Sequence, residues 1–133
     1  ADGGGAAKME GGLGKKGFWN PGWRDRYFVL TGGQLVYYQV KDDWRSGEPK
    51  GTIPIALPPG CDGSREETLV NPAGKEWGRF LFEIRVQAAG QLNGRSFLLA
   101  ARSATEQDVW VVTLQAVASA WRGQFTAPVP TLP

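Results

Sequence analysis

Lys15, Arg24 and Arg26 are the residues of this chain whose type and spacing most invite a chemical reading. In WRDRYFVL (23–30) a strand's period of two sets Arg24, Arg26, Phe28 and Leu30 on one face. That face turns from cationic to apolar along the chain, as it would in passing from a wet rim into a core. Lys15, in KKGFWNPG, lies across a short turn and can converge on the same rim. Guanidinium forks beside a lysine point charge suit phosphate monoesters. The competing reading is the solvated end of an ordinary hairpin. Phe18 and Trp19 adjoin the turn Asn20-Pro21-Gly22, where polar residues are usual. Such a pair either wedges into a bilayer interface, which tryptophan favours, or folds back over the rim.

Composition narrows the chemistry. The 133 residues, 41% of them hydrophobic, fit one domain with one core, and 19 glycines with 9 prolines suggest short strands joined by turns. A formal charge of +2 is too small to attract nucleic acid in bulk, so any electrostatic function is local and no nucleic-acid partner is expected. The chain has no histidine and one cysteine, Cys61, which removes a disulfide framework and any convincing zinc site. Nucleophile systems built on histidine are ruled out, and neither phosphate-loop motif is present. A carboxylate enzyme is a distant third reading: no catalytic residues, metal or cofactor are expected. No apolar run approaches the roughly 20 residues that span a bilayer. ADGGGAAK lacks the basic and apolar regions of a secretory leader, and TAPVPTLP reads as a proline-rich linker. The expected organisation is a disordered segment at 1–8, a folded domain at 9–122 and a tail at 123–133.

The elements that must position the cations are short strands. WRDRYFVL and QLVYYQV (34–40) flank Thr31-Gly32-Gly33, a hairpin signal. GTIPI (51–55) carries Pro54, which suits an edge or a bulge. RFLFEIRV (79–86) alternates strictly, RSFLLAA (95–101) repeats the message, and EETLV (66–70) is fainter. The texture changes at SATE, a capping box of Ser103 and Glu106. Trp110, Leu114, Val117 and Trp121 then form one helical stripe, and Gly123 is placed to end the helix.

This order of motifs resembles the pleckstrin homology (PH) domain. The resemblance is carried by GGLGKKG (11–17), WRDRYFVL, LVYY (35–38), GTIPI and the helix EQDVWVVTLQAVASAW (106–121). It implies a mainly β fold: two nearly orthogonal antiparallel sheets of about seven strands, capped by one C-terminal α-helix. The corner opposite the helix would be open, with the first, third and sixth interstrand loops as its mouth. Gly12 stands where the first strand usually has an aromatic, so that strand should pack thinly.

Phosphoinositide-binding members carry a lysine at the end of strand one and [K/R]-x-R at the start of strand two, which Lys15 and Arg24-Asp25-Arg26 match. Tyr37 and Lys50 resemble positions that contact the head group in members binding 3-phosphorylated lipids. The resemblance thus implies a phosphoinositide-binding module for membrane targeting in signalling. Its partners would be lipid head groups and the membrane surface, and it would be a cytoplasmic, peripheral monomer. The alternative is a protein-interaction module, docking through the helix exterior or the 56–78 segment, with weak non-specific anionic membrane binding. Asp25 has the opposite parity to the arginines and should point away; otherwise it would pair with one and weaken the site. Trp44 lies in a polar loop without an assignable role, and nothing in sequence marks Cys61 as reactive.

Overall fold

A computed structural model describes residues 9–17, 22–43, 47–56, 66–88 and 95–125. Phe18, Trp19, Trp44, Cys61, the side chain of Trp121 and the segments 1–8 and 126–133 lie outside the described residues. The strands are β1 (Met9–Lys16), β2 (Trp23–Thr31), β3 (Gln34–Tyr38), β4 (Gly51–Pro54), β5 (Glu66–Glu76), β6 (Arg79–Ala88) and β7 (Arg95–Ala101), followed by the helix α1 (Ala104–Phe125). All pairings are antiparallel, in the continuous order β4-β3-β2-β1-β7-β6-β5. The two halves of this order meet at a short pairing in which Gly14 and Lys15 oppose Ala100 and Leu99. At its two ends Pro54 keeps β4 an edge strand, and the buried Thr68 of β5 donates its hydroxyl to the Pro54 carbonyl at 3.2 Å.

The β2–β3 hairpin closes through Gly32 and Gly33 at φ 59° and 79°, the left-handed pair that a two-residue turn of this kind requires. β5 extends well beyond the expected EETLV. It continues through Pro72 and Gly74 because the register shifts between Pro72 and Lys75, and that irregularity accommodates a residue with no N–H to give the ladder.

Phe28, Leu30, Leu35, Ile53, Phe82, Ile84 and Leu99 fill the interior, and α1 adds Trp110 and Leu114, with Val117 partly buried. Val111 and Ala118 are also buried, so the helix presents a wider face than the expected stripe. Gln107 and Gln115 fasten that face to the sheet, donating their amides to the carbonyls of Leu81 (2.6 Å) and Val70 (2.7 Å). At the start of α1 Ser103 Oγ accepts from the Glu106 N–H at 3.1 Å, while the Glu106 carboxylate reaches back to the N–H of Arg102. Gly123 does not end the helix but lies inside it; an interior glycine costs only about 1 kcal/mol against alanine.

The thin place in β1 is also not where the sequence suggested. Gly12 is exposed, whereas a Cβ on Gly11 would lie 3.6 Å from the Trp110 indole. Gly11 therefore faces the interior, and the helix tryptophan occupies the room its missing side chain leaves. Among the described residues no helix is long and apolar enough to cross a membrane.

Candidate functional site

The β1–β2 register places Lys15 opposite Arg24 and Leu13 opposite Arg26. Directly opposed residues project from the same side of a sheet. Leu13 and Phe28 are core residues, so Lys15, Arg24 and Arg26 continue the core-facing side outward to the rim. The Lys15 ammonium sits 5.2 Å from the centroid of the Tyr37 ring, and that ring packs 5.2 Å from Phe28. Burial, reinforced by the charges of Arg26 and Arg24, pushes the Lys15 pKa below that of an ordinary lysine. Burial raises the Tyr37 pKa, against a smaller opposing pull from Arg26. The two arginines differ in setting. Arg24 is exposed, while Arg26 is half-buried and donates from Nη1 to the backbone carbonyl of Asp25 at 2.9 Å.

Asp25 is on the other side of the sheet. There it lines a cavity of about 110 Å³ together with Arg79 and Arg102. Its carboxylate thus stands apart from the Lys15 face, as its parity suggested.

Tyr37 owes its position to a glycine. Gly51 is directly opposite it in the β3–β4 register, and a Cβ there would fall 2.6 Å from Tyr37 Cζ. Lys50 precedes that glycine, and its backbone N–H donates to the Tyr37 carbonyl at 2.7 Å. The structure therefore puts Lys50 beside Tyr37 through the main chain, with its side chain in solvent. Lys15, Arg24, Arg26 and Tyr37 are one coupled group, and Lys50 is a neighbour of it.

A cavity of about 700 Å³ opens where the end of β1 meets the start of β7, and Lys15, Lys16, Arg95 and Phe97 are among its walls. Among the described residues singled out from the sequence only Lys15 borders it; Arg24, Arg26 and Tyr37 reach Lys15 from the β2–β3 side. Arg95 was missed. Its guanidinium lies 6.0 Å from the Phe97 ring, and Phe97 packs on the core with Leu99 beyond it. The signal was available, since Arg95, Phe97 and Leu99 alternate from cationic to apolar just as Arg26, Phe28 and Leu30 do.

A rim that holds a partly buried lysine against two arginines is under electrostatic repulsion, and a multiply charged anion would relieve it. Seven antiparallel strands closed by one terminal helix, with such a rim at the β1–β2 end, define the class. The PH domain family matches residues 7–119, and the chain belongs to it.

Particular relatives are equally plain. Human Rho GTPase-activating protein 25 is 36% identical over 105 residues, covering 77% of this chain and 15% of the relative. Mouse Rho GTPase-activating protein 22 is 32% identical over 100 residues, covering 71% and 13%. The chain thus spans about one seventh of the length of the curated relatives it matches. Among solved structures the PH domain of the human KIAA0053 protein superimposes with a TM-score of 0.68 at 25% identity, covering 98% of this chain and 99% of that one. The C-terminal PH domain of pleckstrin, in complex with D-myo-Ins(1,2,3,5,6)P5, shares the fold with a TM-score of 0.64 at 22% identity, covering 86% and 97%.

Proposed function

We propose that this domain binds phosphoinositide head groups at the Lys15–Arg24–Arg26 rim, with 3-phosphorylated inositol lipids as its preferred ligands. The carrying observation is Lys15 itself, partly buried beside two arginines, with the nearby Asp25 turned to the opposite side of the sheet. Arg24 and Arg26 supply guanidinium forks, Lys15 a point charge and Tyr37 a hydroxyl donor, while Lys50 and Arg95 extend positive charge along the mouth. Phe18 and Trp19 enter the bilayer interface once phosphate is held. The complex of the pleckstrin domain with an inositol pentakisphosphate supports this ligand class.

In this reading the domain performs no chemistry of its own. As a monomer it holds the protein that carries it on the cytoplasmic surface of a membrane. The name of its relatives, Rho GTPase-activating protein, suggests the activity so placed. Flotation with liposomes tests the reading: binding to vesicles that contain a phosphoinositide, and little to phosphatidylserine vesicles without it, is the expected result. Equal flotation with both, or with neither, contradicts it. A panel of soluble inositol phosphates then ranks the 3-phosphorylated head groups.

A protein-interaction module that touches anionic membranes only weakly is the alternative. Val109 and Val112, 46% and 55% exposed on the outside of α1, are the observation in its favour.

A further inference from the structure

The β5–β6 hairpin turns through Trp77 and Gly78, with φ of 51° and 76°. Two-residue hairpin turns need a left-handed conformation at both central positions, and asparagine or glycine normally fills the first. Trp77 is the one non-glycine with positive φ among the described residues, and a bulky side chain is disfavoured there. Neither does packing account for it, since Trp77 is 91% exposed. A strained position spent on a wholly exposed indole points to a contact made outside the molecule.

Charge indicates which contact. Lys75 and Arg79 flank the turn, and Arg102 lines the cavity beside Gly78 and Arg79. Arg79 stacks 5.3 Å from the ring of Trp23, and the Lys16 ammonium approaches the same ring at 5.9 Å. Trp23 opens β2 just after the first interstrand turn and lies on the Asp25 side of the sheet. These cations therefore form a band on the face opposite the Lys15 rim, from the β1–β2 end to the hairpin tip. Glu76, half-buried, Asp25 and Glu106, whose carboxylate faces the Arg102 N–H, are acids close by, fewer than the four cations Lys16, Lys75, Arg79 and Arg102. An indole rimmed by cations matches the interface of an anionic leaflet, where tryptophan settles at head-group depth and lysine and arginine are drawn to the negative surface.

We infer that Trp77 is a second point of membrane contact, entering the head-group region of an anionic bilayer while the Lys15–Arg24–Arg26 rim holds the phosphoinositide. This rests on the reading of the rim as a lipid head-group site. Trp77→Asn is the test, since asparagine suits the left-handed turn, and its thermal midpoint should equal or exceed that of the parent. Both proteins are titrated against phosphatidylcholine–phosphatidylserine vesicles containing a phosphoinositide, and against a soluble inositol phosphate. The expected result is a vesicle affinity lowered roughly fivefold or more, with soluble affinity unchanged within about twofold. Brominated lipids should also quench less tryptophan fluorescence in the variant. Equal vesicle affinity overturns the inference and leaves Trp77 to a protein partner or to solvent. Equal losses in both assays overturn it too, by placing Trp77 in the head-group site. A parent that binds vesicles and soluble ligand, with the variant equal to it on vesicles, defeats this inference alone, whereas a parent that binds no phosphoinositide vesicle defeats the reading of the rim as well.

Discussion

Tyr37 lies over Gly51 at a separation that only a glycine permits. A Cβ at position 51 would meet the Tyr37 ring at 2.6 Å from Cζ, so the residue on β4 fixes the tyrosine on β3 that in turn covers Lys15. Gly51→Ala should therefore displace Tyr37 and disturb the rim without removing a charge. The expected cost is about 1–3 kcal/mol in urea stability, the usual range for overpacking. Head-group affinity should fall with it, roughly three- to tenfold, as the aromatic support of the Lys15 ammonium is lost. Titration with a soluble inositol phosphate checks this, and unchanged affinity would show that Tyr37 has no part in the site.

The lowered pKa of Lys15 gives a pH signature. Burial and the two arginines disfavour its ammonium in the free domain, so it gives up its proton below the ordinary lysine value of 10.5. Binding a phosphate needs the charged form, and affinity should weaken as pH rises through that lowered pKa. Stability of the unliganded domain moves oppositely. Between the folded and unfolded pKa values the unfolded chain binds the extra proton, so this residue's contribution rises with pH. Lys15→Arg removes the titrating group, and its affinity profile should stay flat over the range where the parent declines. Superimposable profiles would place Lys15 outside the site.

Trp110 joins helix to sheet by filling the space above Gly11. Trp110→Ala should destabilise the domain by roughly 3–5 kcal/mol, the cost of a large aromatic cavity. A urea midpoint equivalent to a loss under about 1 kcal/mol would mean that this contact does not hold α1 in place.

The sequence made the strands and the helix visible where periodicity was clean. Arg24, Arg26, Phe28 and Leu30 alternate, and the observed register sets them on the side expected. β5 was only half legible because Pro72 and Gly74 look like breakers until a register shift absorbs them. The dependence of Tyr37 on Gly51 could not be read at all, since it arises between strands whose register no local pattern fixes. Arg95 was legible in the same alternation as Arg26, and the core-facing glycine of β1 is Gly11 rather than the Gly12 that the resemblance implies, a one-residue difference that exchanges the two faces of a strand.

Phe18 and Trp19 separate membrane contact from ligand contact. Replacing both by serine should weaken vesicle binding while hardly changing soluble head-group affinity, because interfacial aromatics act through lipid that the soluble ligand lacks. The remaining vesicle binding should be more sensitive to salt, being more purely electrostatic. Paired titrations decide it. Parallel losses in both assays would make the aromatics part of the pocket, and no loss in either would make them bystanders.

The central claim is that the rim cations hold phosphate, and Arg26 tests it most directly. It is the half-buried arginine of the pair and lies nearest to the core-entering Phe28. Isothermal titration of parent and Arg26→Ala with a soluble 3-phosphorylated inositol phosphate is the measurement, with urea midpoints taken alongside. The account predicts a loss of about 1.5–3 kcal/mol of binding energy, the worth of a hydrogen bond to a charged group, at nearly unchanged stability. Equal affinity in the two proteins would contradict it.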